Sequence, residues 1–169
     1  YTGPVFANGV ETTLEFQVRR GGVTVIAGGK KIINWKGSFN QVSLPEGWKV
    51  KNSNALFLAA WTCRYQFSRI LLVPVSGQGV LLRKAAALPK SSLDLLALID
   101  PKLDGVQGDF TRDGAGLLTP NGIPWARIMV PYTPPAEYDL TMVVERKENT
   151  NSLNLALPWN RKQVSLVIE

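Results

Sequence analysis

The chain predicts an all-β fold, an antiparallel β-sandwich of the jelly-roll kind, and three observations predict it. Residues 13–37 (TLEFQVRRGGVTVIAGGKKIINWKG) carry three strand patterns in succession, separated by glycine pairs. Short alternating segments then recur at roughly ten-residue intervals with turn residues between them, the spacing of a sandwich or barrel. Composition supplies the third: 169 residues, 45% hydrophobic and 19% charged, with a mean hydropathy of +0.01. That is enough apolar mass for the core of one domain or one and a half.

Taken in order, residues 1–9 form a Gly/Pro/Asn lead-in, with Val5 and Phe6 as an edge strand before the Asn8-Gly9 turn. Leu14, Phe16 and Val18 then alternate with Glu15, Gln17 and Arg19, the period of a strand with one dry face. Gly21-Gly22 supplies positive φ for a reversal, residues 23–26 run back, Gly28-Gly29 turns again and residues 31–35 form a third strand. Residues 38–53 read as a long loop, pinned to the sheet by Leu44, Pro45 and Trp48. Residues 55–61 are a fully apolar strand buried on both faces, and residues 65–75 follow as its partner. The apolar register slips between Phe67 and Ile70, which predicts a β-bulge, and Pro74 is expected to end the pairing.

Residues 76–92 change character to a Gly/Ala/Pro/Ser mixture and read as a linker, with a short helix over 80–88 placing Leu81, Leu82, Ala85 and Leu88 at helical spacing. A second β block follows. Residues 93–101 are strand or turn, 106–111 a weak strand and 126–130 a cleaner one. Leu140, Met142 and Val144 oppose Asp139, Thr141 and Glu145 in a strand over 138–146. Leu153, Leu155 and Leu157, then Val164, Leu166 and Ile168, repeat the alternation to the end.

The charge excludes less than its size suggests. Nineteen basic against thirteen acidic residues give +6, with a pI near 9.6. The cations fall as pairs at turns and strand ends, such as Arg19-Arg20, Lys30-Lys31 and Arg146-Lys147, where they solubilise loops and guard sheet edges. No recognition helix and no interleaving of aromatics with basic residues is present, so nucleic acid is not an expected partner. No apolar run approaches the roughly 18 residues of a helical membrane span, and the first residues lack a charged-then-apolar leader pattern. There is no histidine, which removes the commonest general base, zinc ligand and nucleophile activator together. The single cysteine, Cys63, excludes an internal disulfide and, without a histidine beside it, is not expected to act as a nucleophile.

The meander over 13–37 resembles the strand-turn-strand meander of concanavalin A-like (LamG-like) jelly-roll domains, including those related to 3-keto-disaccharide hydrolases. ALFLAAWTCRYQFSRILLVPV resembles the final strand pair of such domains. LLALIDPKLDGVQGDF, ARIMVPYTPPAEYDLTMVVER and KQVSLVIE resemble their opening strands in large bacterial multidomain proteins. Ala27-Gly28-Gly29 departs from the family's Asp-Gly turn but keeps the glycine. The halves stand in inverted order: residues 1–75 are like a C-terminal half, 76–92 link, and 93–169 are like an N-terminal half. Either both blocks close one circularly permuted sandwich, the favoured arrangement, or each is completed by a neighbouring chain in a head-to-tail assembly.

Glu137-x-Asp139 is similar to the E-x-D-x-E strand of jelly-roll glucanases, but Thr141 occupies the third position, so the acid/base partner is missing and no catalytic residue is assigned. Such domains can hold calcium, for which Asp100 and Asp104 in the turn-rich 100–116 stretch are the candidate ligands; Asp109 and Asp113 read as turn formers. Of five tryptophans, Trp35 and Trp61 fall within strands and are assigned to the core. Trp48, Trp125 and Trp159 fall beside loops and are the candidate stacking platforms for sugar rings. The expectation is a non-catalytic module, extracellular or at a cell surface, that binds a glycan or assembles within a larger structural protein. The alternatives are a carbohydrate-active enzyme of the same class and a subunit that associates only with copies of itself.

Overall fold

The computed structural model describes residues 3–42, 44, 50, 52–83, 91–159 and 162–169. The meander forms as β1 (Glu11–Arg19), β2 (Gly22–Ala27) and β3 (Lys30–Lys36). Next come β4 (Leu56–Ala60), β5 (Arg64–Ser76), β6 (Val80–Leu81) and β7 (Leu93–Asp94), then a four-residue helix, α1 (Pro101–Asp104). The second half contributes β8 (Gly105–Gln107), β9 (Thr111–Asp113), β10 (Gly116–Leu118), β11 (Ala126–Val130) and β12 (Tyr132–Thr133). Three longer strands end it: β13 (Glu137–Glu148), β14 (Leu153–Trp159) and β15 (Lys162–Ile168).

Two antiparallel sheets pack face to face as a sandwich. The larger runs β3-β2-β1-β13-β5-β10-β9, with β7 paired to β5; the smaller runs β15-β14-β4-β11-β8. Both sheets interleave strands from the two sides of residues 76–92: β13 lies between β1 and β5, and β4 between β14 and β11. The core follows from period-two alternation. Leu14, Phe16 and Val18 of β1, Val23 and Val25 of β2, and Tyr138, Leu140, Met142 and Val144 of β13 all point inward. They meet Leu56 and Leu58 of β4, Ile128 and Val130 of β11, and Leu153, Leu155 and Leu157 of β14. Each fully buried aliphatic side chain contributes about 1.5–3 kcal/mol relative to exposure.

Polar groups that bridge the sheets find partners. The Tyr138 hydroxyl donates to the Pro158 carbonyl (3.1 Å) and the Trp159 indole N–H to the Arg19 carbonyl (2.7 Å). β4 is buried on both faces, because Phe57, with Ala55 and Ala156, forms a second apolar cluster on the outer side of the smaller sheet, covered by Val50 and Met129.

The bulge read from the sequence is present: Val143 pairs with Arg69 and Val144 with Phe67, leaving Ser68 as the extra residue that restores Ile70 and Leu72 to the core face. Other expectations are corrected. β5 does not pair with β4; a tight passage through 61–63 carries the chain into the opposite sheet, where β13 receives it. Pro74 does not end β5, which runs to Ser76. β7 reaches only Leu71 and Leu72, so Pro74 has a ladder on one side alone, and the register shifts just beyond it. Val5 and Phe6 form no strand; the Val5 N–H donates to the Glu169 carbonyl and Phe6 packs edge-on against Tyr65. Val80 and Leu81 are extended and pair with β12 rather than opening a helix, while Ala85 and Leu88 lie outside the described residues. Residues 93–101 contain the two-residue β7 and a 3-10 turn (Leu96–Leu98), and the weak strand over 106–111 divides between β8 and β9.

The glycine pairs serve two different ends. Gly28 and Gly29 have φ of +53° and +80°, the left-handed pair a two-residue hairpin requires. Gly22 is needed for space, since a Cβ there would lie 2.2 Å from the Trp35 carbonyl oxygen.

Two outcomes test this architecture. Leu140→Ala, in the centre of β13, lowers stability by about 2–5 kcal/mol in chemical denaturation. Peptides of residues 1–75 and 93–169 each lack a cooperative melt alone and regain one on mixing; a cooperative melt by either fragment alone contradicts the interleaved strand order.

Candidate functional site

The residues singled out from sequence separate on folding. Trp159 is 1% exposed, its ring packed edge-on against Trp35 (centroids 5.0 Å apart, 85°), so no sugar ring can stack on it. It faces inward because β14 is buried along all seven residues, a consequence of its central position between β15 and β4. Trp48 lies outside the described residues. Trp125 is half-buried and meets Trp61 edge to face, centroids 4.3 Å apart at 86°. Trp61, assigned to the core from sequence, is therefore half of a partly exposed indole pair.

Asp100 and Asp104 are each engaged by protein donors. The Asp100 Oδ1 caps α1, accepting from the Lys102 N–H (2.9 Å). Asp104, 3% exposed, turns inward, where its Oδ2 accepts from the Asp100 N–H (2.7 Å) and Arg83 Nη2 (2.8 Å). Burial pushes its carboxyl up, opposed by the Asp100 amide and the Arg83 guanidinium. Arg83 also donates to the Leu98 carbonyl, tying the end of β6 to the turn ahead of α1. Both carboxylates thus serve the fold, and among the described residues no three potential ligands gather around a metal-sized space.

The carboxylates that begin β13 are likewise engaged. Asp139 accepts from Arg19 Nη2 at 2.6 Å, and Arg19 Nη1 is held by the Tyr138 carbonyl at 3.0 Å. The Arg20 backbone N–H, 3.1 Å from Glu137 Oε1, holds the Glu137 carboxyl below its usual range. A carboxyl kept ionised in this way is a poor proton donor at neutral pH.

A site that sequence did not reveal lies at the far end of β13. Three chain passages meet there: 61–63 between β4 and β5, 119–125 between β10 and β11, and 149–152 between β13 and β14. Thr62, Trp125 and Asn149 have φ of +53°, +59° and +66°, and among the described residues they are the non-glycine residues in the left-handed region. For Thr62 and Trp125 such a conformation costs about 1–3 kcal/mol and persists where surrounding contacts over-determine it, whereas asparagine adopts it more readily.

Those contacts are specific. Thr62 donates its N–H to the Ile123 carbonyl (3.2 Å), and its own carbonyl accepts from Asn149 Nδ2 (2.8 Å). Thr62 Oγ1 accepts from Asn151 Nδ2 (2.7 Å). Asn149 Nδ2 also reaches Asn121 Oδ1 (2.8 Å), Asn121 Nδ2 donates to the Glu148 carboxylate, and Glu148 pairs with Arg64 at 3.2 Å. Beneath this layer the Tyr65 hydroxyl donates to the Asn151 carbonyl (2.6 Å), and the Asn151 N–H donates to Cys63 Sγ (2.8 Å). Burial pushes both the Tyr65 hydroxyl and the Cys63 thiol up, so both stay neutral and serve the scaffold.

The arrangement joins a partly exposed indole pair to exposed amides (Asn121, Asn149, Asn151) and one charge-paired carboxylate. Among the described residues it sets aromatic ring surface beside side-chain hydrogen-bond donors and acceptors. Asn121-Gly122 and Asn149-Thr150-Asn151 are turn signals in the sequence. That these turns converge on Thr62 is a tertiary fact which no local pattern carries. Comparisons of the chain with protein-family models, with curated proteins and with solved structures find no match.

Asn149→Ala removes two side-chain hydrogen bonds and leaves a Cβ residue at φ +66°, so the denaturation midpoint falls by the equivalent of about 1–2 kcal/mol. Asn149→Gly falls less, because glycine occupies that φ without strain.

Proposed function

We propose that this chain is a non-catalytic β-sandwich module that binds glycan at the loop end of the sandwich. Trp61 and Trp125 offer ring surface to the apolar face of a sugar, and the amides of Asn121 and Asn149 meet its hydroxyls. The observation that carries the reading is the convergence of three left-handed non-glycine residues, from three separate chain passages, around one half-exposed indole pair. Backbone strain maintained by a dedicated hydrogen-bond network is characteristic of surfaces held in advance for a ligand, and a rigid platform loses little entropy on binding.

A carbohydrate-active enzyme using Glu137 and Asp139 fits less well. Asp139 is ion-paired to Arg19, and Glu137 is held ionised by a backbone donor, so neither is placed to supply a proton. Assembly with copies of the chain is separated from glycan binding by sedimentation across a concentration series.

Screening the protein against immobilised glycans, followed by calorimetry on any that bind, tests the proposal. Trp125→Ala weakens binding by at least about tenfold, the order expected for one lost aromatic stacking contact, while Glu137→Gln leaves it unchanged. Undiminished affinity in Trp125→Ala rejects the site, and turnover that disappears in Glu137→Gln replaces the proposal with the enzymatic reading.

A further inference from the structure

A groove of about 280 Å³ crosses the outer face of the larger sheet, lined by Gln17, Arg19, Gly22, Thr24, Asn34 and Lys36 among others. Strand register explains why it exists. Gln17 pairs with Thr24 and Thr24 with Asn34, so three polar side chains stand in a row across β1, β2 and β3. In the next row on the same face, Arg19 pairs with Gly22 and Gly22 with Lys36. The middle member of that row has no side chain, and none can be added, because a Cβ would strike the Trp35 carbonyl. The result is a slot between two cations two strands apart, roughly 10 Å between backbones, with hydrogen-bonding groups along one wall.

The cations differ in state. Arg19 is fixed by Asp139 (2.6 Å) and by the Val18 and Tyr138 carbonyls (2.9 and 3.0 Å), so its charge is already balanced. Lys36 is exposed, and no acid among the described residues pairs with it. Thr24 Oγ1 donates to Asn34 Oδ1 at 3.3 Å, leaving the Asn34 amide nitrogen to donate outward. The groove therefore presents one uncompensated positive charge and a row of hydroxyl and amide groups over a mostly apolar lining that includes Trp35, at a volume near the lower end for small-molecule sites.

We propose that this groove binds a uronate: a single sugar ring bearing one carboxylate, which pairs with Lys36 while ring hydroxyls meet Gln17, Thr24 and Asn34. One unbalanced cation matches the single negative charge of one carboxylate, whereas a phosphorylated sugar presents more charge than the groove neutralises. The site lies about 40 Å from the indole pair, at the opposite end of the twelve-residue β13, and is independent of that surface.

Titrating the labelled protein with trigalacturonate, with a neutral hexose trimer and with a sulfated disaccharide, followed by backbone and side-chain amide NMR, tests the assignment. Trigalacturonate shifts the amides of Gln17, Thr24, Asn34 and Lys36, and its binding weakens as salt is raised. Lys36→Gln, at an exposed edge position, keeps the spectrum of the folded protein and binds about tenfold more weakly, the worth of one charge-assisted hydrogen bond. Asn34→Ala weakens it as well, and Trp125→Ala has no effect. Equal binding of the neutral trimer, tighter binding of the sulfated sugar, or the absence of shifts at these four residues overturns the proposal. Loss of trigalacturonate binding in Trp125→Ala also overturns it, by placing that ligand at the indole pair instead.

Discussion

Pairing of β13 with β1 on one side and β5 on the other is the constraint on which the rest of this structure depends. Each buried backbone N–H and C=O needs a partner, and a twelve-residue strand in the middle of a sheet finds them only if both neighbours are present. Those neighbours come from the other side of residues 76–92, so the first block cannot complete its sheet without the second. The smaller sheet repeats the arrangement with β4 between β14 and β11. Side-chain alternation along β13 then places Tyr138, Leu140, Met142 and Val144 over the β4 and β14 leucines, closing a single core.

The same strand sets the distance between the two surfaces with chemical character. At its start, Asp139 fixes Arg19 in the row next to that of Gln17, Thr24 and Asn34. At its end, Glu148 and Asn149 enter the network around Thr62. A sheet strand with ladders on both sides is stiff, so both ends of β13 are held by the fold itself. Thr62 and Trp125, at about 1–3 kcal/mol each, are a large load against a typical stability of about 5–15 kcal/mol. They are tolerated because the network that holds them rests on Tyr65 and Cys63, both wholly buried.

Carboxylates in the described residues are matched to donors at the places where catalysis would need them unmatched: Asp139 to Arg19, Glu137 to an amide N–H, Asp104 to Arg83. The chain has no histidine, the side chain whose ordinary pKa lies nearest neutral pH.

Sequence by itself determined the elements: the meander, the doubly buried β4, the inward rows of β13, β14 and β15, and the bulge at Ser68. These are properties of local alternation, and period two states which side chains share a face wherever the strand is placed. It does not determine which sheet a strand joins: adjacency in the chain suggests β4 as the partner of β5, and the fold supplies β13. Nor did it separate Trp159, at the end of a central strand, from Trp125, beside a turn of the same outward composition. Only the tertiary structure decided that Thr62, Asn121 and Asn149 meet and that Gly22 opens a slot between Arg19 and Lys36. Such proximity between residues tens of positions apart comes from strand order and register, which are settled by burying two sheets against each other and leave no periodic trace in the chain.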